Sequence, residues 1–245
     1  MKKIFNIAIV IIGINAVIAI HELGHWSMCH LFGVETPEFS IGFGPTILEH
    51  QFGTTKFVLA ALPIGGFVEI AGMRHPQPGK EAVSFATQPY KHKVLIMLGG
   101  ILFNIIFAFI IFMLIGFIPP HIKQDPKIEP AAPEPTPEPE TLRQQKRPHS
   151  AVVGPLGIIK IASQSLDYGL PFYFYFLALL SLNLAIFNLF PIPMLDGGQL
   201  LISTIETARG ALLPDELYSM IMSFTMFIMI FLLIYITRQD LRQRA

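Results

Sequence analysis

Hydrophobic residues gather along this chain in four runs, Ile4–Ile20, Val94–Ile118, Phe172–Phe190 and Met220–Ile236. A helix crossing a bilayer needs roughly 20 mostly apolar residues, within a range of about 17–25, and each run reaches that length. Backbone amides find no water in hydrocarbon, so runs of this kind are expected as helices. The first is expected to continue as helix past His21 to about Phe32. The expected fold class is membrane α-helical, with about four transmembrane helices. Lys2 and Lys3 ahead of the first run would suit a signal peptide. The run is long for one, however, and no A-x-A pattern ends it. Cleavage there would also cut off or expose the polar motif that follows.

Between the first two runs the pattern shifts to strands and turns. Glu35–Ser40 leads into Ile41–Pro45, and a strand over Thr46–Gln51 turns at Phe52-Gly53-Thr54 into Thr55–Leu62. Pro63 and Gly65-Gly66 are expected to interrupt it before a further strand, Phe67–Ile70. This β-hairpin or sheet region is too apolar to stand in water, so it is expected to dip towards the membrane or pack on the helices. Asp125–Pro148 is built of alternating Pro and Glu with few apolar residues. It cannot form a core and reads as an extended spacer, with a Pro-rich docking ligand as the less favoured reading. Three segments follow: 1–118 with two helices and the β region, the 119–150 linker, and 151–245 with the last two helices.

Only 14% of the 245 residues are charged and 52% are hydrophobic, where a soluble domain carries about a quarter charged. Formal net charge is zero, which gives no nucleic-acid footprint. Cys29 is the single cysteine, so no intrachain disulfide is available, and its apolar surroundings suit a small buried hydrophobe.

The chemistry concentrates in His21-Glu22-Leu23-Gly24-His25. Positions i and i+4 of a helix share a face, so both imidazoles can reach one ion while Glu22 takes a proton from an activated water. Zinc suits such ligands and brings the pKa of bound water to about 7. Chance matches occur in soluble helices, but ionisable groups at the end of an apolar run are costly and usually functional. A catalytic zinc takes three protein ligands, so a third must come from elsewhere. Asp196, between Phe190-Pro191-Ile192-Pro193-Met194-Leu195 and Gly197-Gly198, is the best acidic candidate. Its local pattern fits an N-cap of a helix starting near Gln199 equally well; the lack of another third ligand favours the metal. Asn188 could bond a scissile carbonyl or oxyanion, or equally pack helices. Asn183 and Asn104 read as helix-to-helix glue, with close approach at Gly99-Gly100. His30, His50, His75, His92, His121 and His149 are scattered and read as surface or interfacial.

These residues resemble the site-2 protease family of intramembrane zinc metalloproteases, on the bacterial branch that includes the sigma-E pathway regulator protease. His21–His25 is similar to its catalytic motif, and Asn183–Gln199, with Asn188–Gly198 inside it, to its second metal motif. Phe39–Pro45 and Leu62–Val68 look like its membrane-associated β region, and Gly154–Ile158 like the segment before its third helix. The resemblance implies Asp196 as third zinc ligand. It implies substrate handling by Asn183, Asn188 and the strand edge around Gly65, Gly66 and Phe67, where an unwound substrate would add as a strand. Implied substrates are single-span membrane proteins, such as anti-sigma factors already cut outside the membrane, or remnant signal peptides. The implied location is the bacterial inner membrane, multi-pass. Two features depart from the branch. Only Ile122–Val153 stands where PDZ domains usually lie, so no PDZ-mediated partner is evident, and Ile101 replaces a usual Pro. The surplus of Lys and Arg on the side of the termini would place them in the cytoplasm, whereas the resemblance, which is preferred, places them outside. Two rival readings are a scaffold that holds zinc and binds transmembrane helices without cutting, and a transporter. A structural site usually has four protein ligands and needs no base such as Glu22. The paired broken helices of transporters are not evident.

Overall fold

The computed structural model describes residues 2–117 and 154–242; the linker expected over 119–150 lies outside the described residues, as do His121 and His149. Helix α1 covers Lys2–Leu31, α2 Tyr90–Gly116, α3 Pro155–Tyr168, α4 Leu170–Asn188, α5 Asp196–Arg209 and α6 Asp215–Arg242. Four of them, α1, α2, α4 and α6, are long and apolar enough to cross a bilayer, the shortest having 19 residues, or about 28 Å at 1.5 Å per residue. The expectation that helix continues beyond His21 to about Phe32 holds, since α1 ends at Leu31.

Two strands follow α1, β1 over Glu38–Phe52 and β2 over Thr55–Val68, paired as an antiparallel hairpin. The expected break at Pro63 and Gly65-Gly66 does not occur: β2 runs through them to Val68, and no separate strand forms over 67–70. The hairpin absorbs these residues by curling. Residues 39–41 of β1 pair with 57–59 and also with 66–68, while 48–51 pair with 56–59. Glycine makes the curl feasible. Gly42 has φ 91°, and a Cβ on Gly66 would lie 2.6 Å from the Ser40 carbonyl oxygen, too close for any other residue. The hairpin exposes Phe43, Ile47, Leu48, Phe52, Leu62 and Ile64. An exposed apolar surface of this kind suits contact with lipid or protein rather than water, which agrees with the expectation that the segment dips towards the membrane or packs on the helices. The hairpin is tied to α1 at two places. Asn15 Nδ2 donates to the Pro63 carbonyl at 2.6 Å and Trp26 Nε1 to Thr55 Oγ1 at 3.0 Å.

The core lies between α1, α2 and α4. Val10, Val17, Tyr173 and Leu177 form one buried cluster, and Ala108, Ile111 and Ala178 another. Helices α1 and α2 touch backbone to backbone. A Cβ on Gly99 would sit 2.6 Å from the Gly24 carbonyl oxygen, and one on Gly24 would overlap the Gly99 carbonyl. This is the close approach expected at Gly99-Gly100, and small residues provide it in membrane helix pairs.

Helix α3 has no counterpart among the predicted elements. It is short and amphipathic, begins with Pro155 at its first turn, and is capped from a distance: Asp240 accepts the Gly154 and Gly157 N–H groups at 3.2 and 3.0 Å. Helix α6 is the outlier in packing. No residue in its most apolar stretch is buried, so its apolar surface belongs to lipid. Polar contacts hold its ends, Asp240 at one and at the other Arg74, which bonds Glu206, the Leu213 carbonyl and Asp215 and lies 4.4 Å above the Tyr218 ring.

Candidate metal centre

His21 and His25 stand one turn apart on α1 and are both buried. Asp196 is the first residue of α5, brought to them because Pro191 and Pro193 stop the chain from continuing α4. Gly197 and Gly198 allow that sharp return. A Cβ on either would overlap carbonyl groups of the Leu189–Ile192 turn. The capping alternative for Asp196 is not what the fold uses. The N-cap of α5 is Leu195, without any side-chain cap bond.

The three donor atoms form a tight triangle. Asp196 Oδ2 lies 3.1 Å from His21 Nε2 and 3.3 Å from His25 Nε2, and the two Nε2 atoms are 3.3 Å apart. Zinc bonds of about 2.0–2.1 Å at tetrahedral angles separate their donor atoms by about 3.3 Å. Asp196 Oδ2 is buried and accepts no hydrogen bond of good geometry. His25 Nδ1 donates to the Ile96 carbonyl at 2.8 Å, which leaves the lone pair on Nε2, towards the triangle. Two nitrogens and one carboxylate oxygen converge on one point, so the residues present fit a zinc ion.

Glu22 faces the same cavity, of about 390 Å³, which Val68, Met73, Asn188, Gln199, Tyr218 and Met222 also line. One carboxylate oxygen of Glu22 is fixed: Oε2 accepts the Val68 N–H at 3.1 Å. The last residue of β2 therefore holds the acid next to the imidazoles. Reasoning from sequence missed this bond, and no local pattern announces it, since the partners lie 46 residues apart.

Of the predicted substrate-handling residues, Asn188 reaches the cavity, donating from Nδ2 to the Leu184 carbonyl at 3.1 Å. Asn183 does not line it and is exposed on α4. Gly65, Gly66 and Phe67 lie on the last stretch of β2, leading to Val68 at the cavity wall. His30 stacks on Trp26 at the surface and His75 bonds Asp215. Both are away from the triangle, as expected for them. Among the described residues, His21, His25 and Asp196 form the one group of three or more His, Cys, Asp or Glu able to share an ion.

An H-E-x-x-H helix facing an aspartate at a helix start, inside a bundle of lipid-length helices, defines the class of membrane-embedded metallopeptidases. The model of peptidase family M50 matches residues 9–232, and the chain belongs to that family. It is an integral membrane protein. Its sequence is similar to proteins named for an inferred zinc metalloprotease activity. One from Campylobacter jejuni is 37% identical over 106 residues, 42% of this chain and 29% of the relative. One from Fusobacterium nucleatum is 34% identical over 122 residues, 49% and 34% respectively. One from Thermotoga maritima is 38% identical over 103 residues, 41% and 21%. The chain thus spans about a third or less of the length of the curated relatives it matches.

Proposed function

We propose that this chain is an intramembrane zinc endopeptidase, a multi-pass protein of the bacterial inner membrane. Its proposed substrates are single-span membrane proteins, such as anti-sigma factors or remnant signal peptides, cut in or near their transmembrane segments. The observation that carries the reading is the triangle of His21 Nε2, His25 Nε2 and Asp196 Oδ2, with sides of 3.1–3.3 Å, sharing a cavity with the Glu22 carboxylate.

Zinc held by these three residues would supply a Lewis acid for the scissile carbonyl and lower the pKa of an attacking water. Glu22 serves as general base and then general acid, taking the water's proton and returning it to the leaving amine. The Val68 N–H keeps one Glu22 oxygen engaged, which leaves the other free for that proton. Because Val68 ends β2, a substrate segment adding along Gly65, Gly66 and Phe67 would be delivered beside the base. Backbone bonds in such strand addition give affinity with little demand on sequence. Asn188, in the same cavity, is the side-chain amide within reach of a bound carbonyl, and Asn183 would act on substrate only beyond the cavity.

The test is cleavage of a tagged single-span substrate by purified protein in detergent, wild type beside Glu22→Gln, with bound zinc measured in both. Product from wild type alone with zinc in both samples is the expected result. Zinc in both and product from neither, across several substrates, would replace the peptidase by a helix-binding scaffold.

A further inference from the structure

The two imidazoles of the triangle are not held alike. His25 has its Nδ1 proton placed by the Ile96 carbonyl. His21 Nδ1 instead lies 3.3 Å from the side-chain amide of Asn104, with Nδ2 on the facing side. In that sense the amide donates, so His21 Nδ1 must be bare and its proton must sit on Nε2. A proton there would point into the triangle and leave no lone pair for a cation. The same amide carries a second anomaly. Asn104 is fully buried, and its Oδ1 has no hydrogen-bond partner, which is costly in a helix interior. Rotating the amide by half a turn exchanges two atoms of nearly equal shape. That single exchange gives Oδ1 a donor, moves Nδ2 to the position Oδ1 leaves, and returns the His21 Nε2 lone pair to the triangle.

We propose that Asn104 is the positioning residue for His21, accepting the Nδ1 proton through its Oδ1 and so fixing the ring and its tautomer for the metal. The proposal rests on the zinc reading above.

The geometry of α2 supports it. Ile96, Gly100 and Asn104 are spaced by four and share one face of the helix. Its two outer members are the acceptors for His25 and His21. Gly100 between them gives the rings room, since a Cβ there would lie 2.5 Å from His25 Nε2 and 2.7 Å from His21 Nδ1. The Asn104 backbone is itself pinned, its carbonyl accepting Ser181 Oγ–H from α4 at 3.0 Å.

The experiment compares zinc affinity, by competition with a chromophoric chelator, in the full-length wild type, Asn104→Leu and Asn104→Asp, with thermal unfolding of each. Asp keeps an acceptor and removes the donor; Leu removes both. Groups that hydrogen-bond the outer nitrogen of metal-bound histidines are worth about 10–100-fold in affinity. That loss is expected for Asn104→Leu, with Asn104→Asp within a few-fold of wild type. A folded Asn104→Leu that binds zinc like wild type overturns the proposal. So does a folded Asn104→Asp that loses tenfold or more, which would mean that the amide nitrogen is the group in use; this arm decides alone if the leucine variant does not fold. A folded wild type that binds no zinc would defeat the metal reading itself, before Asn104 is at issue.

Discussion

Gly100→Ala is the smallest change that should disable the site without touching a ligand. Its methyl group would start 2.5 Å from His25 Nε2, 2.6 Å from His21 Cε1 and 2.7 Å from His21 Nδ1. Carbon needs about 3.5 Å from such neighbours, so each ring must retreat by about 1 Å or α2 must withdraw as a whole. Withdrawal would open the close backbone contact one residue earlier, between Gly99 and Gly24, and lose the packing that joins the two helices. The rings therefore give way, and the 3.1–3.3 Å triangle opens. A misplacement of about 1 Å costs about 100-fold in rate, so cleavage should fall by at least that much and zinc affinity with it. Gly116→Ala is the matched control, on the same helix with nothing within 4 Å of the new methyl. Glycine to alanine in a helix gains about 1 kcal/mol, so the control should be as active as wild type and no less stable. The assay is single-turnover cleavage of a tagged single-span substrate together with chelator competition. If Gly100→Ala keeps wild-type zinc affinity and rate, the rings are not confined by α2 and the account of the site's rigidity is wrong.

Two other outcomes follow from the same geometry. Asp196→Ala should abolish zinc binding in a titration without lowering the stability of the metal-free protein, because α5 draws no cap bond from Asp196 and its buried Oδ2 has no hydrogen bond to lose; a large loss of metal-free stability would reinstate the capping role. Val68→Pro removes the N–H that Glu22 Oε2 accepts, at a β2 end where proline is tolerated. A hydrogen bond to a charged group is worth about 1.5–3 kcal/mol, so kcat should drop roughly 10–100-fold with zinc content unchanged, and an unaltered kcat would refute the tether.

What could be read from the chain was what repeats locally or carries rare chemistry. The four long helices announce themselves by uninterrupted apolar length, and His21, Glu22 and His25 by their spacing on α1. Asp196 was legible only by elimination and resemblance, because Asp before Gly-Gly serves a helix cap equally well. The break expected at Pro63 and Gly65-Gly66 is the instructive miss. Proline and glycine usually punctuate a strand, but here they sit where β2 bends back along 39–41, and a bend needs them as much as a break does. Helix α3 escaped because it is too short for a span and its cap, Asp240, lies more than 80 residues away. The Val68 bond to Glu22 and the Asn104 contact with His21 are likewise long-range, at 46 and 83 residues, and no periodicity can encode them.

The unpaired polar atoms of the interior point to the same place. Within the apolar helices, polar side chains mostly turn back onto backbone carbonyls: Ser27 to Leu23, Tyr173 to Ile9, Asn188 to Leu184, Thr225 to Ile221. In hydrocarbon that is how a polar group is kept at low cost. Among the described residues three buried side-chain atoms break the rule: Asn15 Oδ1, Asn104 Oδ1 and Asp196 Oδ2. Two of the three belong to residues on opposite sides of the His21 ring, Asp196 with its Oδ2 at Nε2 and Asn104 with its Nδ2 at Nδ1. Leaving both unpaired would cost several kcal/mol in a protein whose net stability is of the order of 5–15 kcal/mol. A cation at the triangle would satisfy the first; a half-turn of the Asn104 amide would give its Oδ1 the donor at His21 Nδ1 and supply the tautomer a cation requires, with Nδ2 taking the position Oδ1 leaves. On this proposal the two changes act together: Asn104 on α2 would orient the ring that α1 presents to Asp196 at the start of α5.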